Sequence, residues 1–103
     1  MEILVKKEKI EAYENDKCLG FLKYSLENNI LTIISTVVYE DARGKGVAKL
    51  LNEEVFKYAK KLNIKKIKII CSYSQKYFLQ NKNQYLDFEI VLINSGEKDG
   101  CYI

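Results

Sequence analysis

The sequence RGKGVA, from Arg43 to Ala48, limits the possible folds of this chain more than any other stretch. It follows an apolar run that ends at Tyr39, and it precedes a helix with one apolar face that is predicted from Val47 to Leu62. A strand that turns through glycines into a helix leaves the first N–H groups of that helix unpaired, in front of the positive end of the helix dipole. Such a junction is typical of a phosphate site, and Arg43 and Lys45 add positive charges that suit a diphosphate.

The spacing of the glycines excludes two common phosphate-binding motifs. A Walker loop has a longer spacer between its glycines, whereas only Lys45 separates Gly44 from Gly46. A dinucleotide-binding fingerprint needs a further glycine where this chain has Lys49, and the next predicted strand, residues 65–71, ends without a carboxylate for a ribose. The pattern that remains is Arg, two residues, Gly, one residue and a small residue.

This remaining pattern, formed by Arg43, Gly46 and Ala48, resembles the loop that binds the coenzyme A diphosphate in the GNAT superfamily of N-acetyltransferases. The wider stretch from Thr36 to Tyr85 resembles the small stand-alone YjdJ-like branch of that superfamily. The resemblance implies an α+β, single-domain GNAT-like fold, with a mixed and mostly antiparallel sheet packed by one long and one short helix. It also implies direct transfer of an acetyl group from acetyl-CoA to an amine.

The resemblance places the cofactor contacts in the loop and on either side of it. A backbone N–H group at the end of the preceding strand would hold the charged oxygen of the reacting carbonyl, without help from a particular side chain. The expected cofactor-binding residues are Val37, Val38, Tyr39, Arg43, Gly44, Lys45, Gly46, Val47, Ala48, Lys49 and Tyr73.

Acyl transfer needs a base for the amine and a proton for the departing thiolate. The YjdJ-like branch commonly has a Glu where this chain has Val37, so Glu40 is the nearest candidate base, with a solvated turn as its structural alternative. A thiol leaves readily, so a weak acid such as Tyr77 or Cys71 would suffice. Cys71 could equally be a small core residue, and Tyr77 a packing residue.

Composition excludes several other classes of function. The absence of His removes the commonest metal ligand and general base, so no metal is predicted. Cys18, Cys71 and Cys101 form no CxxC pair, which indicates free thiols and a reducing, cytoplasmic location. A net charge of +3 with dispersed lysines does not favour nucleic-acid binding. The longest apolar run, Ile30 to Tyr39, is too short to span a membrane.

The chain contains no linker, repeat or low-complexity tract, so one domain over residues 1–103 is predicted. Alternation of apolar and polar residues indicates strands, of which three antiparallel ones precede the long helix. The predicted strands are 5–15, 18–26, 30–39, 65–71 and 88–93, and the predicted helices are 47–62 and 74–81. Residues 95–100 are predicted to be a loop or frayed.

Two functions of other classes stay open. Val37 in place of Glu, and Ser35 in place of a His that the branch commonly has, favour an acyl-CoA-binding or regulatory module with impaired catalysis. The dispersed lysines leave a nucleic-acid-binding module as a third hypothesis. A flat salt dependence of binding would exclude that third hypothesis.

Overall fold

The computed structural model describes residues 1–94 of the chain. These residues form a six-stranded sheet and two α-helices, with short 3-10 turns at Glu40–Ala42 and Lys82–Gln84. The predicted loop at residues 95–100 lies outside the described residues. The elements in chain order are β1 (Glu2–Lys6), β2 (Lys9–Glu14), β3 (Lys17–Glu27), β4 (Ile30–Val38), α1 (Val47–Lys61), β5 (Lys66–Ile69), α2 (Ser72–Asn81) and β6 (Glu89–Leu92).

The strands lie in the sheet in the order of the sequence. Neighbouring strands from β1 to β4 are antiparallel, whereas β4, β5 and β6 are parallel to one another. A parallel pair needs a crossover connection, which α1 provides between β4 and β5 and α2 provides between β5 and β6. The predicted α+β fold, with a mixed sheet and one long and one short helix, is confirmed for residues 1–94.

The N-terminal segment differs from the prediction of a single strand at residues 5–15. It forms a hairpin, in which a turn at Lys7 and Glu8 joins β1 to β2. Glu8 adopts a φ of 66°, in the left-handed region that Gly, Asn and Asp usually occupy. Because the turn contains none of these residues, nothing in its composition indicated a turn, and four antiparallel strands precede α1 instead of three.

Helix α1 forms because its apolar residues recur at steps of three and four and so share one face. That face packs against β2, β3 and β4. Leu51 and Val55 are fully buried there, and each large aliphatic side chain contributes about 1.5–3 kcal/mol when it is removed from water. The helix ends close to its predicted end, because Asn63 adopts a φ of 60° and its N–H donates to the Lys60 carbonyl at 3.0 Å.

Strands β4 and β5 separate beyond Ile33. Residues Ile30–Ile33 pair with β5, and the Ile70 N–H donates to the Ile33 carbonyl at 2.9 Å. Strand β4 continues to Val38, with β3 as its strand partner among the described residues. At the same level the register between β3 and β4 shifts and leaves Ile34 without a cross-strand partner, as in a β-bulge. The sheet therefore opens beside the second half of β4.

Gly20 of β3 allows a close approach of β4 at this opening. An ideal Cβ at Gly20 would lie 2.4 Å from the Val37 carbonyl oxygen and 3.0 Å from the Val38 Cα. We predict that Gly20→Ala lowers the free energy of unfolding by about 1–3 kcal/mol, the usual cost of overpacking. Urea unfolding followed by circular dichroism measures this change, and a loss below about 0.5 kcal/mol, as at an ordinary surface position, would contradict the close approach.

Candidate functional site

The turn between β4 and α1 contains two glycines with positive φ. Gly44 has a φ of 84° and Gly46 a φ of 80°, which residues with a Cβ rarely adopt. An added Cβ at either glycine would meet nothing within 4 Å, so the backbone conformation, and not lack of space, requires glycine. Gly46 caps α1, and the Leu50 N–H donates to the Gly46 carbonyl at 3.1 Å. The N–H groups from Val47 to Lys49 therefore have no partner inside the helix.

A cleft of about 210 Å³ lies at these N–H groups. Pockets that bury a whole drug-sized ligand usually measure about 300–1,000 Å³, so this cleft suits one part of a larger ligand, such as its diphosphate. The positive end of the α1 dipole, together with Arg43 and Lys49, makes the cleft favourable for an anion. It is lined by Val38, Ala42, Arg43, Gly44, Gly46, Val47, Ala48, Lys49 and Tyr73.

Eight of the predicted cofactor-binding residues line this cleft, and the other three do not. Side chains alternate along β4, so Val38 is buried on the face that α1 covers while Val37 lies on the opposite face. Tyr39 is exposed, with its ring centroid 6.3 Å from that of Phe21, and Lys45 is exposed as well. Ala42 lines the cleft without having been predicted, because a small residue in a turn carries no functional signal.

The Arg43 side chain is hydrogen-bonded to the end of β4. Its Nε donates to the Val38 carbonyl at 3.0 Å, whereas the Tyr39 N–H donates in the other direction, to the Leu19 carbonyl of β3, also at 3.0 Å. Backbone groups of successive residues alternate in direction along an antiparallel strand, so the N–H and C=O groups of Val38 both point away from β3. The second half of β4 thus presents a backbone donor, the Val38 N–H, on the side where the sheet opens.

Two tyrosines of α2 lie in different environments. Tyr73 lines the cleft and is partly buried, and burial raises the pKa of its hydroxyl. Tyr77, the predicted weak acid, is only 5% exposed and does not line the cleft. Its hydroxyl pairs with that of Tyr85 and its ring packs against Phe56, with centroids 6.1 Å apart. Burial, and next the Tyr85 hydroxyl, strongly raise the pKa of Tyr77. The structure therefore brings Tyr73, and not Tyr77, to the cleft.

The cysteines differ in part from the prediction of free thiols. Cys71 is fully buried, with its Sγ 3.5 Å from the Oγ1 of Thr36. It is disulfide-bonded, which differs from the free-thiol prediction, and a sulfur atom in a disulfide carries no proton that could reach a departing thiolate. Cys18 is a free thiol, as predicted, and Cys101 lies outside the described residues.

Glu40, the candidate base, is exposed at the start of a 3-10 turn and does not line the cleft. The neighbouring Asp41 forms an ion pair with Lys17, whose hydrogen bond holds the pKa of the Asp41 carboxyl below its usual range. Among residues 1–94, no Asp or Glu side chain lines the cleft. The cleft therefore has donors and positive charge, but no carboxylate.

A buried polar cluster lies behind the cleft, and the sequence interpretation missed it. It consists of Thr36 from β4, Asn52 from α1 and Ser74 from α2, all fully buried. Asn52 follows Leu51 on the buried face of α1, whose other buried members are apolar. An Asn in such a position was the signal that could have revealed the cluster, because buried polar side chains need partners.

The described part of the chain holds neither a metal-binding group nor a membrane-spanning helix. In residues 1–94, no three or more His, Cys, Asp and Glu side chains lie close enough together to hold a metal ion. Neither α1 nor α2 is long and apolar enough to cross a membrane.

Comparisons with known proteins support the fold and the family of the chain. Residues 9–88 match the model of the GCN5-related N-acetyltransferase family. A solved structure that matches is an acetyltransferase of the GNAT family from Staphylococcus aureus Mu50, with a TM-score of 0.56 and 24% identity, over 72% of this chain and 50% of that chain. That likeness shows the fold, and this chain spans half the length of that protein. No curated protein sequence matches the chain. Because the family model covers well over half of its residues, the chain belongs to the GCN5-related N-acetyltransferase family.

Proposed function

We propose that the chain transfers an acetyl group from acetyl-CoA to an amine while both are bound. Family and fold support an acetyltransferase. The observation that carries the finer proposal is that the N-terminus of α1, Arg43, Val38 and Tyr73 surround one cleft. This arrangement places hydrogen-bond donors for a diphosphate at one end of the cleft. At the other end it places the Val38 N–H and the Tyr73 hydroxyl, which can donate to a reacting thioester.

The diphosphate would be bound mainly by the unpaired N–H groups at the start of α1, from Val47 to Lys49. Arg43 would add charge through the guanidinium N–H groups other than the Nε that bonds Val38. Ala48 has a small side chain at the cleft, so the ligand can approach the helix backbone. Acetyl-CoA itself supplies the acetyl thioester.

The Val38 N–H would donate to the carbonyl oxygen that becomes negatively charged during transfer. It points away from β3, and it is held in place because the Val38 carbonyl accepts from Arg43. A fixed donor of this kind is worth about 3 kcal/mol of transition-state stabilisation. Arg43 would therefore contribute to both ends of the cleft.

Tyr73 would give a proton to the departing thiolate. Burial raises the pKa of its hydroxyl, so the hydroxyl stays protonated at neutral pH and remains available as a donor. A thiolate is a good leaving group, so a weak acid is sufficient. This assignment replaces Tyr77 and Cys71, neither of which lines the cleft.

The acceptor amine would reach the thioester as the free base, or lose its proton to water, because no carboxylate of the described residues lines the cleft. Glu40 is exposed, lies three residues before Arg43 and would act only through water. The rate should therefore rise with pH towards the pKa of the acceptor amine, since the deprotonated fraction of the amine rises in the same range.

Release of free thiol from acetyl-CoA tests the proposal, with small primary amines, a polyamine and lysine-containing peptides as acceptors. We expect transfer that saturates with acetyl-CoA and requires an amine. Binding of acetyl-CoA in calorimetry without transfer to any of these acceptors would contradict an enzyme.

Binding of acetyl-CoA without transfer would favour an acyl-CoA-binding or regulatory module. The observation in favour of this second candidate is the absence of a carboxylate from the lining of the cleft in residues 1–94, together with Val37 on the opposite face of the sheet. Both candidates require the same diphosphate site, so they differ in turnover and not in binding.

We predict that Tyr73→Phe lowers kcat by about tenfold with KM within about twofold of wild type, because it removes the proton donor and not the ring. Tyr77→Phe should leave kcat near wild type and lower the free energy of unfolding by about 1 kcal/mol, because it removes the hydrogen bond to Tyr85. Steady-state kinetics measure kcat and KM of both variants, and urea unfolding measures their free energies of unfolding. The reverse result, with loss of turnover in Tyr77→Phe alone, would restore Tyr77 as the acid.

A further inference from the structure

Thr36, Asn52 and Ser74, here called the Asn52 cluster, join three elements of the fold through hydrogen bonds. The Ser74 Oγ donates to the Asn52 Oδ1 at 2.5 Å, and the Asn52 Nδ2 donates to the Ala48 carbonyl at 2.9 Å. The Nδ2 also lies 3.5 Å from the Thr36 Oγ1, which is 3.4 Å from the Ser74 Oγ. Among the residues that the structure describes, no buried side-chain nitrogen or oxygen lacks a partner. Each buried polar side-chain atom of the cluster therefore has a partner without a ligand.

Each member of the Asn52 cluster adjoins a different wall of the cleft. On β4, Thr36 lies two residues before Val38, whose N–H is the proposed donor to the thioester. On α2, Ser74 directly follows Tyr73, the proposed acid. On α1, Asn52 donates to the carbonyl of Ala48, in the first turn of the helix. The cluster thus connects the element that would bind the diphosphate to the two elements that would act on the thioester.

General energetics give no reason why folding should need a polar cluster at this place in the core. Replacing all partners of a buried hydrogen-bond network by apolar groups of similar shape is often close to neutral for stability. Asn is also a poor helix former compared with Leu, and it stands on the otherwise apolar buried face of α1. What a satisfied polar network adds is a defined geometry, since hydrogen bonds fix distances and directions that apolar contacts leave free to shift.

We propose that Asn52 is a positioning residue, which holds the N-terminus of α1 in register with the Val38 N–H and the Tyr73 hydroxyl. This role rests on the proposed function. Acetyl-CoA would bind across the cleft, with its diphosphate on α1 and its thioester beside β4 and α2. A shift of about 1 Å between binding groups can cost about a hundredfold in rate, so loss of the cluster would affect a ligand that spans both ends.

A triple variant, Thr36→Val with Asn52→Leu and Ser74→Ala, replaces the whole cluster by apolar side chains of similar shape. Urea unfolding followed by circular dichroism checks its stability, and calorimetry measures its affinity for acetyl-CoA. Backbone amide NMR follows Gly46 at the diphosphate end and Val38 at the thioester end. We expect an unfolding midpoint near wild type and a loss of affinity of at least about tenfold. The shift caused by acetyl-CoA should persist at Gly46 and disappear at Val38.

An affinity within about twofold of wild type, with shifts at both amides, would overturn the positioning role and leave the proposed function intact. A wild-type chain that does not bind acetyl-CoA would instead overturn the proposed function, and the positioning role with it. Should the triple variant fail to fold, Thr36→Val and Thr36→Ser form a matched pair, because the Ser variant keeps the hydroxyl. Thr36→Ser should keep the affinity for acetyl-CoA that Thr36→Val loses. Equal affinities of the two variants would overturn the role of the cluster.

Discussion

The Gly46→Asp variant should bind acetyl-CoA at least about tenfold more weakly than the wild-type chain. Gly46 lines the cleft at the cap of α1, and a Cβ added there would point into open space. The Asp carboxylate would therefore lie beside the diphosphate in the proposed complex. At the effective dielectric of a protein surface this repulsion costs at least about 1.4 kcal/mol, which corresponds to about tenfold in affinity. Calorimetric titration measures the change in dissociation constant.

Gly46→Asn is the matched control for charge. Asn has nearly the size of Asp and tolerates the left-handed φ of 80° at this position, but it is neutral. Its affinity for acetyl-CoA should lie within about threefold of wild type, and the circular dichroism spectra of both variants should match that of the wild-type chain. Equal losses in the two variants would point to backbone strain, and unchanged affinity in the Asp variant would contradict a diphosphate at α1.

The Leu51→Asp variant should not fold. Leu51 is fully buried where α1 packs on the sheet. The substitution removes about 1.5–3 kcal/mol of hydrophobic stabilisation and places a carboxylate in the core, where an unpaired charge is far more costly. A domain of this size has about 5–15 kcal/mol of stability in total, so the sum is enough to unfold it. Circular dichroism should show loss of the helical signal at neutral pH.

Leu51→Met is the control for this position, because it keeps a large apolar side chain. It should fold and lose less than about 1.5 kcal/mol, as volume-conserving substitutions usually do. A Leu51→Asp variant that kept the wild-type spectrum and a cooperative unfolding transition would mean that α1 packs on the sheet through another face.

The features that could be predicted from the sequence depend on local chemistry. The glycines at 44 and 46 require positive φ, and the apolar steps of α1 define its buried face, so both the turn and the helix were found within a residue of their positions. Most of the residues that line the cleft were expected from the resemblance to the GNAT superfamily, and not from local chemistry alone. Membership of the YjdJ-like branch stays a prediction, because the family model and the solved structure support the superfamily only.

The features that were missed depend on contacts between distant parts of the chain. Tyr73 and Tyr77 cannot be told apart by composition, and only the packing of Tyr77 on Phe56 and Tyr85 excludes it from the cleft. The β1–β2 turn was missed because Glu8 takes a left-handed conformation without a residue that favours it. The Asn52 cluster depends on three elements meeting in space, of which the sequence shows only the polar residue in an apolar face.

The most direct measurement is a backbone amide NMR titration of the wild-type chain with acetyl-CoA, compared with S-acetylpantetheine, which carries the thioester without the diphosphate. We predict that acetyl-CoA moves the amides from Gly44 to Lys49 more than any others, because their N–H groups receive the diphosphate. S-acetylpantetheine should leave them unmoved. Largest shifts elsewhere in the chain, or equal shifts with the compound that lacks the diphosphate, would contradict a diphosphate site at the start of α1.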